Sequence, residues 1–393
     1  MAAREPPGRA VTPLDVMLVF READPMTGGL GVDIADVANG LTARGHRVTV
    51  ATTASTAAAG GERPAGFVRD VEVARLRTFP GGRRAGVAYG LAPGIARLID
   101  ARPGALVHVY SCLPVYLHAA AAAAARGRHR PLVWTPMLHP ARRASWRGYG
   151  WRGGIMAAFD AVVPRAARFV DAIAAATAAE AEAFRRHGAR RVRVIPSAVH
   201  AVAPADDGAA RRLRGRLGLG GGPLVLAVAG REERRKGLDF AMAAVSRMRL
   251  RLPSATLVVL GLPGPPRRLS ASAVSLGRLS AGDLATAYRA ADVVFVPSRY
   301  EAFSRVVIEA WQQERPAVVT DRVGLAETVR EGGGSVVRFG DVDGAASAIA
   351  ALVCHRTEAL RQGRHGRATV QRRFLVDGVV DQLEALYAEV LHG

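Results

Sequence analysis

Short apolar, β-branched runs alternate with helical segments along this chain, and the whole alternation occurs twice. In the first half the runs are Asp15–Phe20, Val48–Ala51, Val71–Leu76, Ala105–Tyr110, Leu132–Trp134, Ala172–Ala175 and Val192–Ile195. The second half restarts at Leu224–Val228 and continues through Thr256–Gly261, Val274–Gly277, Val293–Val296 and Ala317–Thr320. Strands joined through helices pair in parallel, and the helices then cover both faces of the sheet. The stretch 201–222, rich in Ala, Gly, Pro and charge, separates the two series and reads as a linker. A chain of 393 residues also exceeds what one core usually serves. The pattern therefore predicts an α/β protein with two parallel-sheet domains. Val379, Leu383, Leu386, Tyr387 and Val390 stand at helical spacing and predict an amphipathic helix at the end of the sequence.

Composition narrows the function. Hydrophobic residues make up 49% of the chain, which excludes a disordered protein. Cys112 and Cys354 are the two cysteines, too few for a disulfide scaffold or a cysteine-rich zinc site, and they suit a reducing cytoplasm. No apolar run reaches the ~18 residues of a membrane span, so a soluble, cytoplasmic protein is expected. The formal charge of +20 would attract polyanions. Lys236, however, is the only lysine among the 54 basic residues, and so uniform an arginine bias reads as coding composition, as in a GC-rich bacterial genome. A nucleic-acid binder would need basic and aromatic residues interleaved on a recognition motif, and none is present. Arg142, Arg143, Trp146, Arg147, Tyr149, Trp151 and Arg152 form a basic, aromatic segment. Contact with a membrane surface is one reading of it; a mobile loop near an acceptor is the one preferred here.

The chemistry-bearing segments follow strands. Pro297-Ser298-Arg299-Tyr300-Glu301-Ala302-Phe303-Ser304 leads from the Val293–Val296 run into a helix. Glu301 and the amides of Phe303 and Ser304 then lie at a helix N-terminus outside the carboxyl end of a strand, where phosphates and sugars collect in open α/β sheets. Glu309, eight residues on, would address another part of the same ligand; a carboxylate suits a pair of sugar hydroxyls. The alternative is a capping Glu301 and a solvated Glu309. The Gly230–Gly237 loop, between the Leu224–Val228 strand and a helix, places Arg231 and Lys236 where a diphosphate would sit. In the N-terminal half, Gly28, Gly29 and Gly31 form a glycine turn between strand and helix. His139 follows a strand and is balanced between an active-site contact and a loop histidine. His108 ends a strand and reads as structural. No metal-ligand cluster is visible.

These segments, taken in order, resemble glycosyltransferase family 4, the retaining nucleotide-sugar transferases of the GT-B fold. Gly28-Gly29 with Gly45-His46-Arg47-Val48, Ile195-Pro196-Ser197-Ala198-Val199-His200, Gly230-Arg231 with Lys236-Gly237, Glu301 through Glu309, and Val323-Gly324-Leu325-Ala326-Glu327 carry the resemblance across almost the whole chain. It implies two Rossmann-like domains facing each other across a cleft. Residues 1–202 would bind the acceptor, 203–375 the nucleotide-sugar donor, and helix 376–393 would return to the N-terminal domain. Arg231 and Lys236 would neutralise the departing diphosphate, with Gly230 and Gly29 allowing close backbone approach. Glu309 would hold the ribose. Glu301, with the Phe303 and Ser304 amides, would hold the sugar, and His139 would sit in the active site. No cofactor or metal is implied beyond the nucleotide-diphosphate-sugar itself. The acceptor would be a small molecule, a glycan or a lipid-linked group. Departures from the family pattern fall at Ala302, Ser304 and Glu314, where the family generally has glycine, and at Ser197, where it has asparagine. They leave open a nucleotide-sugar-binding protein, or a coupling enzyme of the same fold that does not make an ordinary O-glycosidic bond.

Overall fold

The computed structural model describes residues 12–22, 29–53, 66–76, 91–111, 115–140, 142–145, 150–218, 222–228 and 233–392. One seven-stranded sheet contains β1 (Asp15–Glu22), β2 (Arg47–Thr53), β3 (Glu72–Leu76), β4 (Leu106–Tyr110), β5 (Leu132–Thr135), β6 (Ala172–Ala175) and β7 (Val192–Val194), in the order β3-β2-β1-β4-β5-β6-β7. The other contains β8 (Leu224–Val228), β9 (Thr256–Leu260), β10 (Arg267–Ser270), β11 (Ala273–Gly277), β12 (Val293–Val296), β13 (Ala317–Thr320) and β14 (Gly334–Val337), in the order β10-β11-β9-β8-β12-β13-β14. In the second sheet β8 pairs in parallel with both β9 and β12, and β10 alone runs antiparallel to its neighbour, β11. Every residue of β4, β5, β12 and β13 is buried, the signature of strands covered on both faces. Two Rossmann-like parallel-sheet halves are thus present, as the alternation predicts.

By internal contacts the chain divides into two compact units, residues 1–135, 169–172 and 384–393 in one, and 136–168 and 173–383 in the other. In the first unit the end of the last helix, Val376–His392, is held by polar contacts. Glu384 takes His46 Nε2 at 2.7 Å and Arg44 at 2.8 Å. The Leu14 amide donates to His46 Nδ1, so the ring proton sits on Nε2 and points at Glu384. Tyr387 meets His108 Nδ1 at 2.7 Å while His108 Nε2 meets Thr135 at 2.8 Å. Burial pushes His108 down to about 3, so this histidine is the structural core group expected of it, although it stands in the middle of β4 rather than at its end.

Four local features depart from the sequence reading. The linker contains a helix, Asp207–Arg216, capped by the Asp206 carboxylate on the Ala209 amide and held by Arg289 on Asp207 at 2.7 Å. Its apolar side is short, with Ala210 buried and Leu213 and Leu217 half-buried against the core, in a stretch rich in glycine and charge. β10 and β14 were not expected: one is polar and exposed, the other glycine-led and half-buried, and both lie at sheet edges where apolar patterning is weak. The glycine turn after β1 is shorter than expected, because the helix Gly29–Ala43 begins at Gly29 and buries Gly31. The end of the Gly230–Gly237 loop is a single helical turn, Glu233–Lys236.

Candidate functional site

β8 and β12 are neighbours where the strand order of the second sheet reverses, the position at which open α/β sheets bind ligands. Both strands run into the segments singled out above. Lys236 closes the one-turn helix, and Gly237 follows at φ +70°. A Cβ at Gly237 would stand 2.1 Å from the Pro297 carbonyl oxygen, so only glycine fits. The Arg299 amide donates to the Arg235 carbonyl at 2.8 Å. On the other side, the Glu301 amide donates to Arg322 O at 3.0 Å and the Gly324 amide to Glu301 O at 2.8 Å. A Cβ at Gly324 would lie 2.0 Å from Ala302 O. The loops after β8, β12 and β13 are therefore laced together around Glu301.

The Glu301 carboxylate is the electrostatic centre. Lys236 Nζ lies 2.8 Å from Oε1 and 2.9 Å from Oε2. Arg235 stands 3.6 Å from Oε2, and Ser298 Oγ donates to it at 3.0 Å. Thr320 Oγ1 in turn donates to the Ser298 carbonyl at 2.7 Å and fixes that turn. Burial works against ionisation of Glu301. The attraction of Lys236 and Arg235, with the Lys236 and Ser298 hydrogen bonds, outweighs it and holds the carboxyl at about 2. Lys236 and Glu301, expected to address separate parts of a ligand, contact each other.

Downstream of Glu301 the chain enters the helix Arg305–Gln312. The Phe303 ring is buried and meets Phe374 edge-on at 5.6 Å, so only its backbone faces the site loop. Ser304 occupies the N-cap at φ 103°, ψ 89°, a conformation rarely adopted by a residue with a side chain. Its hydroxyl is buried, makes no capping bond and has no hydrogen-bond partner among the described residues. Glu309, one helical turn from the end, accepts the Tyr288 hydroxyl at 2.7 Å. Burial raises its carboxyl in spite of that bond and of Arg305 and Lys236. Glu309 is thus a held, half-buried group rather than a solvated one. After the helix, Glu314 adopts φ 57° while the Arg315 amide reaches back to Ala310 O, the left-handed helix stop that glycine usually makes.

His139 lies in the same compact unit. It is buried, and burial takes it down to about 4 against the raising influence of Glu301 and Asp321, with Arg322 lowering it further. Its segment is clamped from beneath by Glu180. The Leu138 amide donates to one Glu180 oxygen and the Ala176 amide to the other, the latter at 2.7 Å. Glu180 is fully buried, and burial raises its carboxyl to about 7 although both backbone bonds oppose the rise. Arg142 is not part of an exposed basic loop: it is buried in an ion pair with Asp160.

The structure thus brings Lys236, Glu301, Phe303, Ser304 and Glu309 together and sets His139 in the field of Glu301. Gly230 and Arg231 lie outside the described residues. Gly29 belongs to the other compact unit, as the exposed first residue of its helix. Tyr288, Ser298 and Glu180 were missed, since each acts through a partner that no local spacing reveals.

A two-sheet chain with its loops gathered in this way is a GT-B-type protein, and solved structures agree on the fold. Sucrose-phosphate synthase from Thermosynechococcus elongatus superposes with a TM-score of 0.74 at 20% identity, covering 96% of this chain and 99% of that one. Anabaena Alr3699/HepE in complex with UDP gives 0.71 at 20% identity, covering 96% and 100%. The profile of Glycosyltransferase Family 4 matches residues 27–203, and that of Glycosyl transferases group 1 matches residues 222–355. The chain belongs to the family 4 type of glycosyltransferases. Among curated relatives, the D-inositol 3-phosphate glycosyltransferase of Stackebrandtia nassauensis is 34% identical over 247 residues, 56% of this chain and 54% of that protein. That of Catenulispora acidiphila is 35% identical over 225 residues, 50% and 53%. The chain spans about half the length of the curated relatives it matches.

Proposed function

We propose that this chain transfers a sugar from a nucleotide-diphosphate-sugar to an acceptor with retention of configuration. The observation that carries the reading is the convergence of Lys236, Glu301 and the N-terminus of Arg305–Gln312 at the strand-order reversal, with a buried Ser304 hydroxyl left unpartnered there. Lys236 and Arg231 supply positive charge for the diphosphate as it departs. Glu309 accepts one hydrogen bond from Tyr288, and a carboxylate has capacity for two more from ribose hydroxyls. Glu301 and the amides of Phe303 and Ser304 take the sugar, and Gly230 admits the phosphates. His139, neutral under ordinary conditions, offers a hydrogen bond rather than a charge. The departing diphosphate assists the acceptor hydroxyl, so no separate protein base is required.

Calorimetric titration of UDP, GDP, ADP and dTDP tests the donor site, with UDP first because a fold neighbour was solved with it. One nucleotide should bind, and Lys236→Ala and Glu309→Gln should each weaken it at least tenfold. If none of the four binds, the transferase reading fails. Inositol 3-phosphate is the first acceptor to assay, given the names of the relatives.

A further inference from the structure

The helix Gly150–Val162 turns its apolar side outward. Trp151, Gly154, Ile155, Ala158 and Val162 are all exposed, with Trp151 at 72% and Ile155 and Val162 at 58%. At ~100° per residue they fall within a sector of roughly 100°. Asp160, on the opposite side, is buried against Arg142. A surface helix of a soluble protein has the reverse arrangement, charge outward and apolar groups inward.

The charge around the stripe is one-sided. Residues 141–170 hold six arginines and a single acid, Asp160, a net of 6 − 1 = +5. Asp160 is consumed by the internal pair with Arg142. Arg143, Arg165 and Arg168 are exposed. Among the described residues no helix is long and apolar enough to cross a membrane, so an attachment through this element would lie in the interface plane.

We propose that the Gly150–Val162 face docks on an anionic lipid surface, with Trp151, Ile155 and Val162 entering the headgroup boundary and the arginines meeting lipid phosphates. A tryptophan at the end of such a stripe suits that boundary. Two-fold pairing of the face with a second copy would set arginine-rich rims against each other, and like charge opposes it. The proposal stands independently of the donor site.

Vesicle sedimentation of the full chain tests it, with pure phosphatidylcholine against a 7:3 mixture with phosphatidylglycerol. Binding to the anionic vesicles should exceed binding to the neutral ones at least tenfold and fall as salt rises. Trp151→Ser with Ile155→Ser and Val162→Ser should abolish at least nine-tenths of it while circular dichroism and nucleotide binding stay unchanged. Each arginine near such a surface contributes about fivefold, so Arg165→Gln with Arg168→Gln should cost on the order of 25-fold. Brominated lipid should quench wild-type fluorescence more than that of Trp151→Phe. No binding to anionic vesicles at low salt overturns the proposal, as does binding that the serine variant leaves intact. A lipid-indifferent dimer dissolved by the serine variant overturns it in favour of self-association.

Discussion

Lys236 and Glu301, 65 residues apart in sequence, form a salt bridge in which the ammonium reaches both carboxylate oxygens, at 2.8 and 2.9 Å. Each side chain is 14% exposed, so neither charge can lose the other without leaving an ion poorly hydrated. Lys236→Ala should therefore destabilise the protein by roughly 2–4 kcal/mol as well as weaken nucleotide binding. Lys236→Met combined with Glu301→Gln should recover most of the stability and none of the binding. Urea unfolding separates the two effects; a double variant no more stable than the single would refute the pairing argument.

Acid should unfold the protein in part through the same pair. The folded Glu301 carboxyl titrates at about 2, below its ordinary value, so its stabilising contribution is present above roughly pH 4.5 and lost as pH falls towards 2. His139, held at about 4 and near 6.5 when unfolded, adds a loss between those values, since the unfolded chain takes up its proton first. Glu301→Gln should flatten the lowest part of the stability curve and extend the His139 window to lower pH, since the lost carboxylate no longer raises His139.

Glu180 behaves in the opposite sense. Its carboxyl is raised to about 7, so its neutral form favours folding below pH ~4.5 and that benefit is lost as pH rises to 7. Glu180→Gln should remove this window, worth on the order of 3 kcal/mol. An amide offers one acceptor oxygen where two backbone amides now donate, so the His139 segment should loosen. Faster hydrogen exchange at Leu138 in the variant would be the direct sign; unchanged exchange would show that Glu180 does not hold the segment.

Glycine at two positions sets the spacing of the loops. Gly237→Ala and Gly324→Ala would each press a methyl within about 2 Å of a carbonyl oxygen and should cost 3 kcal/mol or more, on the order of a severe overpacking change. Gly282→Ala, in open space on the helix Ala281–Ala290, should instead be neutral or stabilise by up to ~1 kcal/mol. Thermal melts of the three variants distinguish a local clash from a general intolerance of alanine.

Ser304→Gly should raise stability by about 1 kcal/mol. Relief of a positive φ and removal of an unpartnered buried hydroxyl outweigh the extra freedom of glycine in the unfolded chain. Weaker sugar-nucleotide binding alongside the gain would identify the hydroxyl as a ligand contact. Unaltered affinity would leave it a purely conformational departure.

The sequence made the sheets legible because their central strands are buried on both faces and read as unbroken apolar runs. β10 and β14 stayed hidden because edge strands need no such run, and the Asp207–Arg216 helix because its apolar side is only Ala210, Leu213 and, just beyond it, Leu217, set among glycine and charge. Glu301 and Glu309 were legible from their place after a strand. That Lys236 is the partner of Glu301 was not, since a long-range ion pair has no period. The face of Gly150–Val162 was half legible for a related reason: Trp151 and Arg152 stand out in the sequence as part of a basic, aromatic segment, but nothing there shows that Ile155 and Val162 face outward with Trp151. Periodicity tells which residues share a side, but not which side meets water.

Gly237 and Gly324 give the site a division of labour. Main-chain atoms hold the architecture in place, through contacts too close to admit any side chain at those two positions. Ala302, between them, is then free to differ in size and polarity without the frame moving, whereas the positive φ of Ser304 favours glycine or a small residue. A lineage could retune what the proposed donor site accepts by point changes between the two glycines, while the frame itself would change only by simultaneous replacements in three loops.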